Sequence, residues 1–229
     1  MWPPGEGLLL VKLLLVRHAE SQGNAERRLQ GRREFPLTER GVEQAQALAS
    51  RLATTPVAAI YASPLQRAMQ TADVVARKRG LSVMVETRVQ EYDFGETLSG
   101  LTWQEIRETK PEVVEALSHD NSDFPRYPGE EGRGAFSERV REALGEIAAK
   151  HGQDESALVV THAGPIVVFL MEALGRKYSR PIPFTIDNAS LTKIEVNGNT
   201  VPGQPEMVVT GINDTCHLAQ IGVTGGRPS

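Results

Sequence analysis

The stretch VKLLLVRHA at residues 11–19 decides the fold, because SALVVTHAGP at residues 156–165 repeats its design. In each, a nearly unbroken apolar run ends in a polar pair whose second member is histidine, His18 or His162. Runs that are apolar at successive positions, rather than alternate ones, predict strands buried on both faces, as in a parallel sheet covered by helices. AAIYA (58–62) and SVMVE (82–86) read the same way, whereas LTKIEV (191–196) and EMVVTGI (206–212) predict later, more exposed strands.

Helical periodicity fills the intervals. Residues 39–53 carry Val42, Ala45, Ala49 and Leu52 on one stripe, with Thr38 as N-cap. Residues 64–79 place Leu65, Ala68, Met69, Ala72 and Val75 together, with Ser63 as cap and Pro64 opening the helix. Residues 136–149 and the all-round apolar 165–174 complete the set. Strands alternating with helices predict an α/β fold, a three-layer α/β/α sandwich around a mostly parallel sheet. A length of 229 residues suits a single domain over 1–229 with an embedded subdomain. The rhythm breaks from about 93 to 135, a stretch rich in Gly, Pro, Asp and Glu, which predicts an inserted lid with Trp103 as its packing anchor. The tail VTGGRPS is expected to be a loose terminus.

Composition narrows the chemistry. Hydrophobic residues make up 40% and charged residues 24%, too apolar for a disordered chain. With 25 basic and 29 acidic residues and 5% aromatics, neither a basic field nor a base-stacking platform is present, so nucleic acid is not an expected partner. Cys216 is the only cysteine, which excludes an internal disulfide and a cysteine-based zinc site and suits a reducing cytoplasm. The apolar run Leu8 to Val16 is far shorter than the ~20 residues of a membrane span. The opening Met-Trp-Pro-Pro-Gly-Glu has no basic signal-peptide region, so neither export nor a membrane partner is expected.

Five histidines are present. His18 and His162 both follow a buried strand, where parallel α/β sheets place their ligand crevice. Arg17 precedes His18, Arg67 falls in the first turn of the helix after 58–62, and Ala163-Gly164-Pro165 starts another helix. Two arginines, two histidines and two helix N-termini suit one compact dianion, with phosphate as the obvious candidate. An imidazole among guanidinium groups is disfavoured as a cation, so His18 is expected to be neutral and nucleophilic toward phosphorus. A proton donor must serve the leaving oxygen, and Glu91, Asp93 and Glu96 all follow strand 82–86 closely enough to compete. Arg27-Arg28 and Arg32-Arg33 are expected to form a solvated basic face, with substrate steering the lesser reading. Arg126 and Arg133 are minor candidates for reaching an acidic substrate tail. His119 reads as a polar loop residue, His151 as a helix-end contact, and His217 carries no assigned chemistry.

The blocks LLLVRHAESQGN, LQGRREFPLTERGVEQA, IYASPLQRAMQTA, EYDFGE and VVTHAGP, in this order, resemble the histidine phosphatase superfamily, also called phosphoglycerate mutase-like. The resemblance implies that His18 is the phosphorylated nucleophile, that Arg17, Arg67 and His162 hold the phosphoryl group, and that Glu91 is the proton donor. It implies that Ser21, Asn24, Gln30, Gly31 and Ala163 line the substrate pocket, and that no metal or other cofactor is needed. Two departures stand out. The usual Arg-His-Gly is Arg-His-Ala here, a mild steric change at Ala19. The usual Pro-Gly-Gly-Glu-Ser is Pro128-Gly129-Glu130-Glu131-Gly132, which loses a serine and gains a carboxylate, leaving the lid's substrate contacts open. Residues 97–124 lack the adjacent arginine pair of the mutases, so the expected activity is hydrolysis of a small phosphate monoester. Mutase-type phosphoryl transfer and non-catalytic phosphate binding are the alternatives, and a metal-dependent hydrolase is disfavoured by the arginines. The exposed edge near 206–212 could support a homodimer.

Overall fold

The computed structural model describes residues 10–118, 123–152, 155–178, 182–197 and 207–222. His119 and the tail from 223 lie outside the described residues. In chain order the elements are β1 (Leu10–Arg17), α1 (Gln22–Ala25), α2 (Glu39–Arg51), β2 (Ala59–Ala62), α3 (Gln66–Arg79) and β3 (Val83–Val85). There follow α4 (Gly95–Leu98), α5 (Trp103–Thr109), α6 (Pro111–Ser118), α7 (Arg133–Ala149), β4 (Ser156–Thr161), α8 (Ala163–Ala173), β5 (Leu191–Asn197) and β6 (Met207–Asp214).

The strands form one six-stranded sheet in the order β3-β2-β4-β1-β5-β6. The first four are mutually parallel, and β5 and β6 join antiparallel. Alternating side chains of β1 feed two cores. Leu14 and Val16 pack with Leu48 and Leu52 of the α2 region and Ala68 and Val75 of α3. Leu13 and Leu15 pack with Phe136, Val140 and Leu144 of α7 and Ile166 and Phe169 of α8. This is the three-layer α/β/α arrangement, with helices on both faces of the central strands.

Some local expectations need correction. β3 is an edge strand rather than a doubly buried one, with Met84 and Val85 exposed. Val42 faces solvent, and Gln44 and Leu48 join the buried stripe of α2 instead. Thr38 does cap α2, accepting from the Gly41 amide at 2.9 Å. Ser63 does not cap α3, which begins at Gln66 with Leu65 as its N-cap and no side-chain cap bond. Trp103 is 41% exposed at the start of α5, so the small core of 93–131 is built without it, from Leu98, Ile106, Val113 and Tyr127. Residues 133–135, expected in the irregular stretch, already belong to α7.

Register is what positions the chemistry. Val16 pairs with Val160 and Arg17 with Thr161 across β1 and β4, so His18 and His162 leave adjacent strand ends side by side. Ala62 of β2 pairs with Val160, which brings Ser63 to the same edge. Leu15 is fully buried in β1, and Leu15→Ala is expected to cost about 2–5 kcal/mol, read as a lowered urea midpoint at unchanged m-value.

Candidate active site

A cavity of about 480 Å³ opens at the carboxyl edge of the central strands. Arg17, His18, Asn24, Gln30, Gly31, Arg67, Glu91 and Ala163 all line it. His162 is fully buried beside them, its ring centroid 5.1 Å from that of His18 at an interplanar angle of 60°. Ser21 does not line the cavity. Its Oγ is buried between Asn24 Oδ1 and Gln30 Oε1, at 2.9 and 2.8 Å, where it steadies two residues that do.

The His18 tautomer follows from its neighbour. Nδ1 lies 2.7 Å from the Ala19 carbonyl oxygen, which can only accept, so Nδ1 carries the proton and Nε2 of the neutral ring keeps its lone pair. The Asn188 amide donates to the His18 carbonyl at 3.0 Å, and the Ala19 amide donates to Thr71 Oγ1 at 3.0 Å. The Cβ of Ala19 is accommodated in a small buried cluster with Ala45, Ala189 and Leu218. His162 places Nε2 2.8 Å from Ser63 Oγ and leaves Nδ1 buried without a partner.

Both imidazoles are held well below their ordinary value, first by burial and then by the positive charge of Arg67. Arg17 adds to the effect on each. Burial also lowers the two guanidinium groups, Arg67 to about 10, and a guanidinium stays protonated in proteins, so both are cationic at neutral pH. Arg17 Nη1 donates to the Ile186 carbonyl at 2.6 Å, and Arg67 donates to the Gly31 and Arg33 carbonyls at 2.7 and 2.9 Å. The Nε of each is buried and unpartnered. Orphaned buried donors are rare because each forfeits its hydration. Here two of them belong to Arg17 and Arg67 around one cavity, with the unpartnered His162 Nδ1 beside them, and a bound phosphoryl group has the oxygens to satisfy the two donors. The positive end of α8, capped by His162, faces the same space.

Geometry separates the three carboxylates that spacing left in competition. Glu91 lines the cavity with His18. Asp93 accepts from the Gly95 amide and pairs with Arg32, while Glu96 is exposed outside the cavity. Glu91 accepts from the Tyr92 amide at 2.9 Å and the Gly164 amide at 3.3 Å. A Cβ on Gly164 would fall 2.1 Å from Glu91 Oε1, so a larger residue here would displace the carboxylate from this position. Gly31, at φ +52°, makes the tight turn that aims its carbonyl at Arg67.

Of the two arginine pairs, Arg27 and Arg33 are exposed, as expected of a solvated face, whereas Arg28 and Arg32 are half-buried in polar contacts. Arg28 donates to the Gly100 carbonyl and pairs with Glu26 and Glu105, Arg32 pairs with Asp93 and Glu131, and Arg33 donates to the Ser99 carbonyl. Together they fasten the 28–33 loop to residues 93–105. Arg126 is not free for substrate either, being bound to buried Glu130, and Arg133 is buried. His151 meets the Tyr61 hydroxyl and Glu155. Among the described residues, no three His, Cys, Asp or Glu side chains converge to hold a metal ion, and no helix is long and apolar enough to cross a membrane. The sequence gives no signal for Thr71 or Asn188, and it presents Ser63 and Gly164 only as parts of helix starts.

Residues 13–203 match the sequence profile of the histidine phosphatase superfamily, branch 1. The chain belongs to that family. It is similar to phosphoserine phosphatase 1 of Hydrogenobacter thermophilus, with 34% identity covering 92% of this chain and 96% of the relative. It is also similar to phosphoglycerate mutase-like protein 4 of Arabidopsis thaliana, 36% identical over 68% of this chain and 67% of that one. Among solved structures, Bacillus stearothermophilus YhfR superposes with a TM-score of 0.79 at 30% identity, covering 91% of this chain and 99% of YhfR. Family membership and these relatives support a phosphatase.

Because the native state holds both imidazoles neutral, the unfolded chain binds more protons below pH ~6.5. Their contribution to stability is therefore complete above that value and is lost as pH falls from ~6.5 toward their lowered native values. Histidine-selective NMR titration of the native protein is expected to show no midpoint near 6.5 for His18 or His162.

Proposed function

We propose that the protein is a phosphatase of small phosphate monoesters that works through a phosphohistidine on His18. The observation that carries this reading is the neutral His18, its Nδ1 committed to a backbone carbonyl, set in a cavity whose arginines have unfilled donors. In the first step Nε2 attacks phosphorus and the bond to the leaving oxygen breaks. The electron pair departs with that oxygen, which takes a proton from the Glu91 carboxyl. Arg17, Arg67 and His162 stabilise charge on the equatorial oxygens, with the Ser63 hydroxyl donating to Nε2 of His162 so that Nδ1–H faces the phosphoryl group. In the second step Glu91 takes a proton from water as that water attacks the phosphohistidine, which restores free His18 and releases phosphate.

The outer wall of the cavity favours hydrolysis over mutase chemistry. It is formed by Phe94, Val167, Tyr178, Ile182, Phe184 and Ile186. A mutase needs fixed cations for a second anionic group, yet the remaining arginine of that wall, Arg28, is already paired with Glu26 and Glu105. The segment 93–131 is assigned as the lid, and the unpaired Cys216 fits a cytoplasmic enzyme.

The test uses p-nitrophenyl phosphate and phosphoserine, the ester for which the Hydrogenobacter relative is named. Turnover is expected to persist in EDTA, to vanish in His18→Ala, and to give an N-phosphorylated His18 on alkaline denaturing quench. Dependence on added metal, or turnover without a phosphorylated histidine, would overturn the reading. Gly164→Ala, which displaces the Glu91 carboxylate, is expected to lower kcat/KM for phosphoserine on the order of 10²-fold, with little change in Tm.

A further inference from the structure

Glu91 has no regular element to hold it. It follows the single 3-10 turn at Thr87–Val89 and precedes α4, so neither a strand ladder nor a helix fixes its backbone. A proton donor must nevertheless stay within hydrogen-bond reach of the leaving oxygen, and displacements of about 0.5 Å are enough to impair a catalytic group. The Tyr92 and Gly164 amides hold the carboxylate itself, and the irregular backbone that carries it needs fixing from elsewhere.

Resting on the phosphatase reading, we propose that Arg139, locked in place by Glu131, is the positioning residue that aims the Glu91 carboxyl. Arg139 projects from α7 and uses all five of its donors. Nη1 donates to the carbonyls of Arg88 and Gln90 at 2.5 and 2.9 Å, and Nη2 donates to the carbonyl of Glu91 itself at 3.0 Å. Nε and the second Nη2 hydrogen grip the two oxygens of Glu131, the latter at 2.9 Å. The guanidinium also lies 4.9 Å from the centroid of the Phe136 ring, which fixes its plane.

Glu131 completes the clamp from the other side. Its Oε2 accepts from the Asp93 amide at 3.1 Å, and its Oε1 accepts from Arg32 Nη2 at 3.1 Å. The chain is therefore held at the carbonyls of 88, 90 and 91 and again at the amide of 93, bracketing the Glu91 side chain. Arg32 carries the same connection into the loop of Gln30 and Gly31, which line the cavity. The extra carboxylate of this segment, Glu130, does not enter the clamp. It is buried against the Tyr92 hydroxyl at 2.7 Å and against Arg126. A lysine at 139 offers three donors from one point, so it cannot span three carbonyls and a carboxylate.

A structural staple and a device for aiming the acid differ in one measurable respect. An alkyl leaving oxygen needs a proton as it departs, whereas p-nitrophenolate leaves as a stable anion and needs none. kcat/KM reports binding and the phosphorylation step and leaves out hydrolysis of the phosphohistidine. For Arg139→Lys and Glu131→Gln, kcat/KM for 2-glycerol phosphate is expected to fall at least tenfold more than for p-nitrophenyl phosphate, as it does for Glu91→Gln. Introducing Arg139→Lys into the Glu91→Gln background is expected to cause almost no further loss with the alkyl ester. Equal losses with both esters, no loss with either, or full additivity in the double variant would overturn the proposal. If wild-type protein forms no phosphohistidine from p-nitrophenyl phosphate, the phosphatase reading itself fails and takes the clamp with it. If it forms the adduct and the leaving-group signature is missing, only the clamp fails.

Discussion

Two guanidinium groups, one buried and one half-buried, beside two uncharged imidazoles are a costly arrangement, and the rest of the molecule is organised to sustain it. Arg17 and Arg67 are desolvated, and each retains a buried Nε without a partner. Burial first, and their charge second, keep His18 and His162 from protonating. A dianion entering this space meets fixed donors that need no reorganisation, which is the condition under which electrostatic stabilisation is strongest. The burial and repulsion that make this arrangement costly also keep the histidine neutral and nucleophilic.

The scaffold holds this cost through rigid connections rather than through ion pairs at the pocket. Backbone carbonyls of Ile186, Gly31 and Arg33 receive the arginine donors, so the positive charge is oriented without being cancelled. The neutralising carboxylates lie farther out. Glu130 is consumed by Arg126 and Tyr92, Glu131 by Arg139 and Arg32, and Asp93 by Arg32. The acidic residues that follow Glu91 are thus absorbed in fastening loops. Glu91 alone among them is left facing the cavity.

Different parts of the structure were legible in the sequence to different degrees. The doubly buried strands β1 and β4 were clear because both of their faces are apolar. β3 was misread because an edge strand on this sheet is also apolar, and burial depends on neighbours rather than on its own residues. Ser63 looked like a helix cap because Ser before Pro is a common helix opening. The tertiary fold gave it to His162 instead. Arg28 and Arg32 looked solvated because the partners that hold them against other loops, Gly100 and Glu131, lie far away in the chain.

The sequence by itself determined the layered α/β class, the two strand-end histidines and the residue types needed to hold a phosphoryl group. These are local properties, written in apolar runs, helix starts and side-chain chemistry. Only the tertiary structure decided which carboxylate faces His18, which tautomer His18 adopts, and which residues hold the irregular segment around Glu91. Those outcomes depend on the register of β1 against β4, on the missing Cβ of Gly164 and on the reach of Arg139 from α7. Each joins residues far apart along the chain, and such distances are set only once the sheet has closed around its core.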